Sequence, residues 1–258
     1  MKLGCVQMNM ALGNPQENFS RAAQLIAEAM AHAPDVLVLP ETWNTGFFPR
    51  EGLESLCDAD GQQVKTQIGA LAERYKVNIV AGSVANIRDG KVYNTALVFD
   101  RKGRCIASYD KTHLFSPMGE DRHFTPGDHL CRFLLDGIPC GLILCYDLRF
   151  PELSRTLALQ DMDILFVPAQ WPKIRQDQLR TLLAARAIEN QCFALCCNSA
   201  DPVCSGGSAV YDPTGNALAL ADSQEQLLFA HCDPEQLKAV RSAIPVFRDR
   251  RPELYRTP

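Results

Sequence analysis

Apolar and polar residues alternate along the chain in two patterns. Short apolar runs bounded by turn residues predict buried strands at 2–10, 35–39, 77–83, 138–144, 163–168 and 193–198. Between them, apolar side chains repeat at three- and four-residue spacing, which predicts amphipathic helices over 14–31, 61–75 and 174–191. Asn14 and Pro15 supply an N-cap and a first helical residue. This alternation is typical of an α/β protein.

Two pairs of predicted strands interrupt the alternation. Residues 93–99 and 104–109 are joined by a short turn and predict a hairpin, and residues 206–211 and 227–232 predict a second hairpin-like unit. A singly alternating Rossmann or barrel fold fits this order poorly, whereas two sheets faced by helices fit it well. The 258 residues are expected to form one domain.

Composition and charge exclude several classes of protein. The formal charge of −4, with no cluster of Lys and Arg before the last dozen residues, argues against a nucleic-acid surface. No apolar run approaches the roughly 18 residues of a membrane span, and the N-terminus has no long apolar signal region. Eleven cysteines are too sparse for a disulfide scaffold, so we expect reduced thiols and a cytoplasmic location. The cluster at 192–204 has no Cys-x-x-Cys pair, which disfavours zinc.

Three ionisable residues follow predicted strands. Glu41 comes after 35–39, Lys111 after 104–109 and Cys145 after 138–144, where a helix is predicted to begin soon afterwards. In α/β folds the reacting groups collect at the carboxyl ends of strands. Together these residues supply a proton carrier, a fixed positive charge and a nucleophile. Each alone also fits a structural interpretation, namely a loop carboxylate, a surface lysine and a buried thiol.

A cysteine hydrolase needs a base beside the sulfur, because the thiolate is the attacking species. His113, two residues after Lys111, is the histidine predicted to lie beside the candidate site. A Cys145–His113 dyad therefore remains one hypothesis. The other is that His113 orders its loop through hydrogen bonds.

Three segments resemble the signature segments of the nitrilase superfamily of carbon–nitrogen hydrolases. They are Pro-Glu at 40–41, Tyr-Asp-Lys-Thr-His-Leu at 109–114 and Cys-Tyr-Asp-Leu-Arg-Phe-Pro-Glu-Leu at 145–153. Their order and spacing match across almost the whole chain. The last segment and Leu-Pro-Glu-Thr-Trp-Asn-Thr-Gly-Phe at 39–47 are similar to the Nit and ω-amidase branch, which hydrolyses terminal amides of small dicarboxylic acid monoamides such as α-ketoglutaramate.

The resemblance implies an αββα sandwich of two mixed sheets flanked by helices, paired with a second copy as an αββα–αββα homodimer. Residues 233–258 are expected to form a C-terminal tail at the subunit interface. The catalytic triad implied is Glu41, Lys111 and Cys145, with Glu41 as the general base and acid. Lys111 and the backbone N–H of Tyr146 would hold the oxyanion. No metal or organic cofactor is implied.

Further residues are candidates for a supporting or substrate-binding role. Glu120, nine residues after Lys111, is the expected second glutamate, with Asp121 as the alternative counterpart and a solvated charge as the structural one. Arg149 is a candidate substrate contact, although Arg149 and Asp147 also fit a structural ion pair or cap that fixes the turn after Cys145.

Aromatic residues in the loops after these strands are candidates for lining a pocket or, alternatively, for anchoring loops. They are Trp43, Phe47, Tyr146 and Trp171. The far end of a carboxylate-bearing substrate would need a cation or several hydrogen-bond donors. Gln170 and Arg175 also follow a predicted strand, and the sequence does not choose among these residues.

The sequence therefore predicts an amide hydrolase that releases ammonia from small carboxylate-bearing amides, with α-ketoglutaramate-type substrates first. Deaminated-glutathione amidase and N-carbamoyl amide hydrolysis are the alternatives among enzymes. A catalytically silent scaffold is the alternative of another class, and a thiol redox protein is disfavoured because Cys140 is poorly placed as a resolving cysteine. The expected partners are the amide, water and a second copy of the chain, with no nucleic acid and no membrane.

Overall fold

The computed structural model describes residues 1–47, 49 and 51–255, so the end of the predicted tail, 256–258, lies outside the described residues. Within them the first sheet contains β1 (Lys2–Gln7), β2 (Val36–Val38), β3 (Asp58–Ala59), β4 (Asn78–Arg88), β5 (Lys91–Phe99), β6 (Cys105–Asp110) and β13 (Gln226–His231). The second sheet contains β7 (Cys131–Leu135), β8 (Ile138–Leu142), β9 (Ile164–Ala169), β10 (Phe193–Asn198), β11 (Ala209–Tyr211) and β12 (Ala217–Leu220). The helices are α1 (Pro15–Ala29), α2 (Leu53–Leu56), α3 (Gln62–Tyr75), α4 (Pro151–Ala158), α5 (Gln176–Asn190) and α6 (Pro234–Ala243).

Both sheets are mixed. The first has the order β13-β1-β2-β4-β5-β6, with β3 paired to β4. The pairs β1–β2, β2–β4 and β3–β4 are parallel, and the pairs β13–β1, β4–β5 and β5–β6 are antiparallel. The second has the order β12-β11-β10-β9-β8-β7, with a parallel centre of β10, β9 and β8 and antiparallel strands on both sides. The predicted pair of mixed sheets is confirmed.

The two sheets face each other, and helices cover their outer faces. In β2, Val36 and Val38 point into the core between the sheets, while Leu37 points towards α1 and α3, as the two-residue period of a strand requires. On the second sheet, Phe166 packs between the sheets and Leu165 packs beneath α4 and α5. The four layers form the predicted αββα sandwich.

The first helix begins where the sequence predicted. The Asn14 side chain accepts a hydrogen bond from the Glu17 backbone N–H at 3.3 Å, and Pro15 occupies the first turn. The start of α1 thus agrees with the local sequence. None of the helices in the described ranges combines the length and apolar character needed to cross a bilayer.

The predicted second hairpin was wrong in its partner. β11 pairs with β12, which the sequence analysis did not identify, and β13 pairs instead with β1 of the other sheet, with His231 opposite Lys2. The turn at 212–215 is followed by two segments able to form a strand, and the nearer one closes the hairpin. β7 was also missed. This strand pairs with β8, and its residues are alternately buried and exposed.

Candidate active site

Cys145 follows β8 in the chain and lies at the edge of the second sheet where the parallel strands β8 and β9 end. The predicted helix start is displaced, because residues 145–149 form a 3₁₀ turn and α4 begins only at Pro151. Cys145 itself has a φ of 42°, in the left-handed region that a residue with a Cβ rarely adopts. Backbone strain of this kind costs about 1–3 kcal/mol and clusters at functional sites. The turn holds the sulfur at a fixed position in front of the strand ends.

Two carboxylates share the ammonium group of Lys111. Lys111 Nζ donates to Glu41 Oε1 at 2.7 Å and to the two carboxylate oxygens of Glu120 at 2.9 and 2.8 Å. All three side chains are at most 1% exposed. The sequence candidates Glu41, Lys111 and Glu120 are therefore in direct contact, whereas Asp121 lies on the surface.

Further hydrogen bonds hold the carboxylates of Glu41 and Glu120 in place. Asn94 Nδ2 donates to Glu41 Oε1 at 2.9 Å and to Glu120 Oε1 at 3.1 Å. The Gln170 backbone N–H donates to Glu41 Oε2 at 3.0 Å, and that of Phe115 donates to Glu120 Oε2 at 2.6 Å. Buried charges that are paired and hydrogen-bonded in this way keep one geometry before any substrate binds.

The Cys145 sulfur lies beside the same carboxylate, and hydrogen bonding with Glu41 and with the Gln170 backbone N–H is among the influences on the pKa of its thiol. Burial raises the pKa of the Cys145 thiol well above its ordinary value, and the nearby Glu41 charge raises it further, against a smaller opposing effect of Lys111. The resting sulfur is therefore a protonated thiol with a carboxylate placed to remove its proton.

Lys111 remains positively charged in this environment. Burial alone opposes the ammonium charge, but the carboxylates of Glu41 and Glu120 outweigh it and raise the pKa of Lys111 well above its ordinary value. The ammonium group is thus a fixed positive charge beside the sulfur rather than a base.

Asp147 ties the lysine segment to the cysteine turn. Its buried carboxylate accepts hydrogen bonds from the Leu144 and His113 backbone N–H groups at 2.9 and 3.0 Å and from the Tyr109 hydroxyl at 2.8 Å. The Thr112 hydroxyl and His113 Nδ1 also donate to it, at 3.1 and 2.9 Å. Residues on both sides of Lys111 are thereby joined to the residue before Cys145. Asp147 acts as a cap, and it does not pair with Arg149.

His113 belongs to this connection and not to a dyad with Cys145. Its imidazole is bound by Asp147 and stacks on Phe150 with the ring centroids 3.6 Å apart. No hydrogen bond joins His113 to Cys145 within the described residues. These contacts agree with the hypothesis that His113 orders its loop through hydrogen bonds.

A cavity leads from the surface to Cys145 and Lys111. Its other lining residues include aromatic side chains, two arginines and Gln170, namely Phe47, Phe115, Met118, Tyr146, Arg149, Gln170, Trp171, Pro172 and Arg175. The Arg149 guanidinium carbon lies 4.7 Å from the Trp171 ring centroid, and that of Arg175 lies 5.8 Å from the Phe115 centroid. Within the described residues neither guanidinium has a carboxylate within ion-pair distance. The cavity therefore presents positive charge towards whatever enters it.

These features agree with comparisons to known proteins. The family model for carbon-nitrogen hydrolases matches residues 2–242. The chain belongs to the carbon-nitrogen hydrolase family. A 2-oxoglutaramate amidase of Bacillus subtilis is 40% identical over 257 residues, which are 98% of either chain.

Two solved structures extend the similarity of this carbon-nitrogen hydrolase to three dimensions. Saccharomyces cerevisiae Nit3, a member of branch 10 of the nitrilase superfamily, has a TM-score of 0.86 at 26% identity, over 97% of this chain and 96% of its own. An amidase from Nesterenkonia sp. AN1 has a TM-score of 0.86 at 25% identity, over 99% of this chain and 95% of its own. That structure is of a glutamate-to-glutamine mutant of the amidase, with the acetamide moiety of fluoroacetamide added covalently at its active-site cysteine. The predicted superfamily, fold class and hydrolase class are confirmed.

One aromatic candidate of this carbon-nitrogen hydrolase follows the loop-anchoring alternative. Trp43 is fully buried beneath α1, where its indole N–H donates to the Ala81 carbonyl at 2.7 Å and its ring meets Phe19 edge-on. It anchors the loop after Glu41 and does not line the cavity, because the chain turns back into the outer layer at this point. Phe47, Tyr146 and Trp171 do line it.

Asn94 and Phe115 were not identified from the sequence. Asn94 lies in the middle of β5, and its only signal is that it and Thr95 are polar residues inside a mostly apolar strand. Phe115 contributes its backbone N–H to Glu120 and its ring to the cavity. No local pattern distinguishes that ring from any other loop aromatic.

Proposed function

We propose that this hydrolase is an ω-amidase that cleaves 2-oxoglutaramate (α-ketoglutaramate) through a thioester on Cys145. The observation that carries the proposal is that Cys145 and Lys111 line the end of one cavity with two arginines, while Lys111 is bound to the Glu41 carboxylate beside the sulfur. The substrate is proposed from the 2-oxoglutaramate amidase that shares 40% of its residues with this chain.

The first half-reaction forms the thioester. Glu41 takes the thiol proton as the sulfur attacks the amide carbonyl carbon, so that the base is used at the moment of attack and no free thiolate accumulates. The developing oxyanion is held by Lys111 and by the Tyr146 backbone N–H, which donates to no other atom within the described residues. The protonated Glu41 then gives its proton to the amide nitrogen, the carbon–nitrogen bond breaks and ammonia leaves.

The second half-reaction hydrolyses the thioester. Glu41, again a carboxylate, removes a proton from water as the water oxygen attacks the thioester carbonyl. The same two donors hold the second oxyanion. The carbon–sulfur bond breaks, the sulfur recovers its proton from Glu41, and the dicarboxylate product departs. The addition to the active-site cysteine of the Nesterenkonia amidase supports the nucleophilic role given to Cys145.

The two arginines support a substrate with a carboxylate at its far end. Arg149 Nη2 donates to Gln178 Oε1 at 2.7 Å, which leaves its other N–H groups available, and Arg175 has no side-chain hydrogen bond within the described residues. Guanidinium groups bind carboxylates through paired, charge-assisted hydrogen bonds. A monoamide of a dicarboxylic acid would place its amide at Cys145 and its carboxylate at these groups.

Assembly and location are further parts of the proposal. We infer a single domain over residues 1–258, with residues 233–258 as a tail at the interface of a homodimer in the cytoplasm. Exposed apolar side chains in that region, Ile244 and Leu254, support the interface. Light scattering that gives the mass of one chain at working concentration would contradict it.

The test is ammonia release from a panel of amides. We expect 2-oxoglutaramate, glutaramate and succinamate to be hydrolysed, butyramide to be much slower, and the Cys145→Ala variant to be inactive on all. Faster release from deaminated glutathione, or from an N-carbamoyl substrate, would favour the other activities of the superfamily. Absence of ammonia from every amide would favour the silent scaffold.

A further inference from the structure

Gln170 lines the cavity and has a side-chain oxygen without a hydrogen-bond partner within the described residues. It follows β9, lines the cavity beside Cys145 and is 4% exposed. Its side-chain Nε2 donates to the Glu41 carbonyl oxygen at 2.8 Å and to the Thr42 hydroxyl at 2.6 Å. Its Oε1 is buried and has no hydrogen-bond partner within the described residues.

The orientation of this amide is fixed by its neighbours. A carbonyl oxygen only accepts, so exchanging Oε1 and Nε2 would place two acceptors against each other at Glu41. Oε1 is therefore the atom left without a partner. A buried acceptor without a donor carries a desolvation penalty, which a ligand with a matching N–H removes on binding.

The main chain of Gln170 places this residue beside Glu41 and Cys145. Its backbone N–H donates to Glu41 Oε2 at 3.0 Å, and it is near enough to the Cys145 sulfur to influence the pKa of the thiol. The group that arrives next to that sulfur is the scissile amide. Its carbonyl oxygen points to the oxyanion donors, so its nitrogen lies on the Glu41 and Gln170 side.

We propose that Gln170 Oε1 accepts a hydrogen bond from the N–H of the scissile amide and thereby selects amides over esters and nitriles. The inference rests on the proposed amidase function. An amide nitrogen offers an N–H to this oxygen, whereas an ester oxygen or a nitrile nitrogen offers none. A site with a buried acceptor rejects analogues that leave it unpaired.

The contact also orients the nitrogen for proton transfer. In the tetrahedral intermediate the nitrogen carries two hydrogens and one lone pair. One N–H bonded to Gln170 turns the lone pair towards the protonated Glu41, which delivers the proton as the carbon–nitrogen bond breaks. Gln170 neither gains nor loses a proton.

The experiment compares an amide and an ester of the same acid, glutaramate and monomethyl glutarate. Both give the same thioester, so the ratio of their kcat/KM values reports acylation alone. Gln170→Met, which keeps the length of the side chain without the oxygen, is expected to lower kcat/KM for the amide about ten- to hundredfold more than for the ester. Gln170→Asn, which withdraws both amide atoms by one methylene, should show the same selective loss.

Thr42→Val is the matched control. It removes one acceptor of Gln170 Nε2 and disturbs the same loop, but it leaves Oε1 in place. We expect it to slow the amide and the ester by equal factors. If Gln170 served only to hold Glu41, both Gln170 variants would also slow the two substrates equally, or leave both unchanged, and either result would overturn the inference.

Failure of the proposed amidase function would give different results from failure of the role proposed for Gln170. A wild-type enzyme that releases ammonia from no amide while its thermal unfolding is cooperative overturns both proposals. A wild-type enzyme that hydrolyses glutaramate, with an unchanged amide-to-ester ratio in folded Gln170→Met and Gln170→Asn, overturns only the role of Gln170.

Discussion

The two ends of the cavity differ in how their charges are balanced. The floor, defined by Glu41, Asn94, Lys111, Glu120 and Cys145, is at most 8% exposed at any residue, and its charges pair with each other. The mouth, defined by Phe115, Arg149, Trp171 and Arg175, carries two guanidinium groups that rest on aromatic rings without a carboxylate partner in the described chain.

This difference assigns separate tasks to the two ends. The floor is complete before substrate arrives, so its geometry suits any amide and sets the reaction. The guanidinium groups of the mouth have no carboxylate partner in the described chain, so the binding energy that they contribute depends on whether the substrate carries a negative charge. Changes in the floor should therefore affect every substrate, and changes in the mouth should affect anionic substrates selectively.

The largest effect is expected from Lys111→Met in the floor. Removing the ammonium leaves Glu41 and Glu120 buried together without a cation, and breaking a buried pair in this way costs about 3–5 kcal/mol. Hydrolysis of anionic and neutral amides should fall together, by about a thousandfold, because the proposed oxyanion donor is lost. Urea unfolding and ammonia release measure the two effects. A variant with native stability would show that the floor is not held by its ion pairs.

A smaller effect is expected from Asp147→Asn, which changes the connection beneath the floor. The new amide nitrogen would oppose either the Leu144 or the His113 backbone N–H, since these bond to different oxygens of Asp147, at a cost of about 1–3 kcal/mol. We expect kcat to fall with little change in KM, since the cysteine turn and Lys111 lose their common support. A change in KM for anionic substrates alone would place Asp147 with the mouth instead.

The smallest effect is expected from Arg175→Gln in the mouth. Its guanidinium is exposed and screened by salt, so KM for glutaramate should rise about tenfold, with kcat for butyramide unchanged. Lys173→Gln is the matched control, because Lys173 lies in the same 3₁₀ turn and does not line the cavity. Equal effects on both substrates, or an equal effect of the control, would remove the distinction between floor and mouth.

Within the floor, some residues could be predicted from the sequence and one could not. Glu41, Lys111 and Cys145 each follow a strand, and strands are identified by local apolar patterns. Asn94 joins the floor from the middle of β5, and that contact depends on the alignment of β5 with β6 and with the loop carrying Glu120, which no local pattern encodes.

The sequence also did not predict the direction that the chain takes after a strand ends. Trp43 and Phe47 are four residues apart in one loop, yet one is buried under α1 and the other lines the cavity. The same limit explains the displaced helix start after Cys145, because the turn is fixed by the tertiary contacts of Asp147. β13 joins the other sheet because β1 offers it a free edge, and that pairing spans more than 200 residues.

A thioester on Cys145 can be intercepted by hydroxylamine. With succinamate as substrate, we expect the wild-type enzyme to divert product from succinate to the hydroxamate as hydroxylamine increases, while ammonia continues to be released. Cys145→Ala should form neither product. Ammonia release without any hydroxamate, or release by Cys145→Ala, would contradict the thioester.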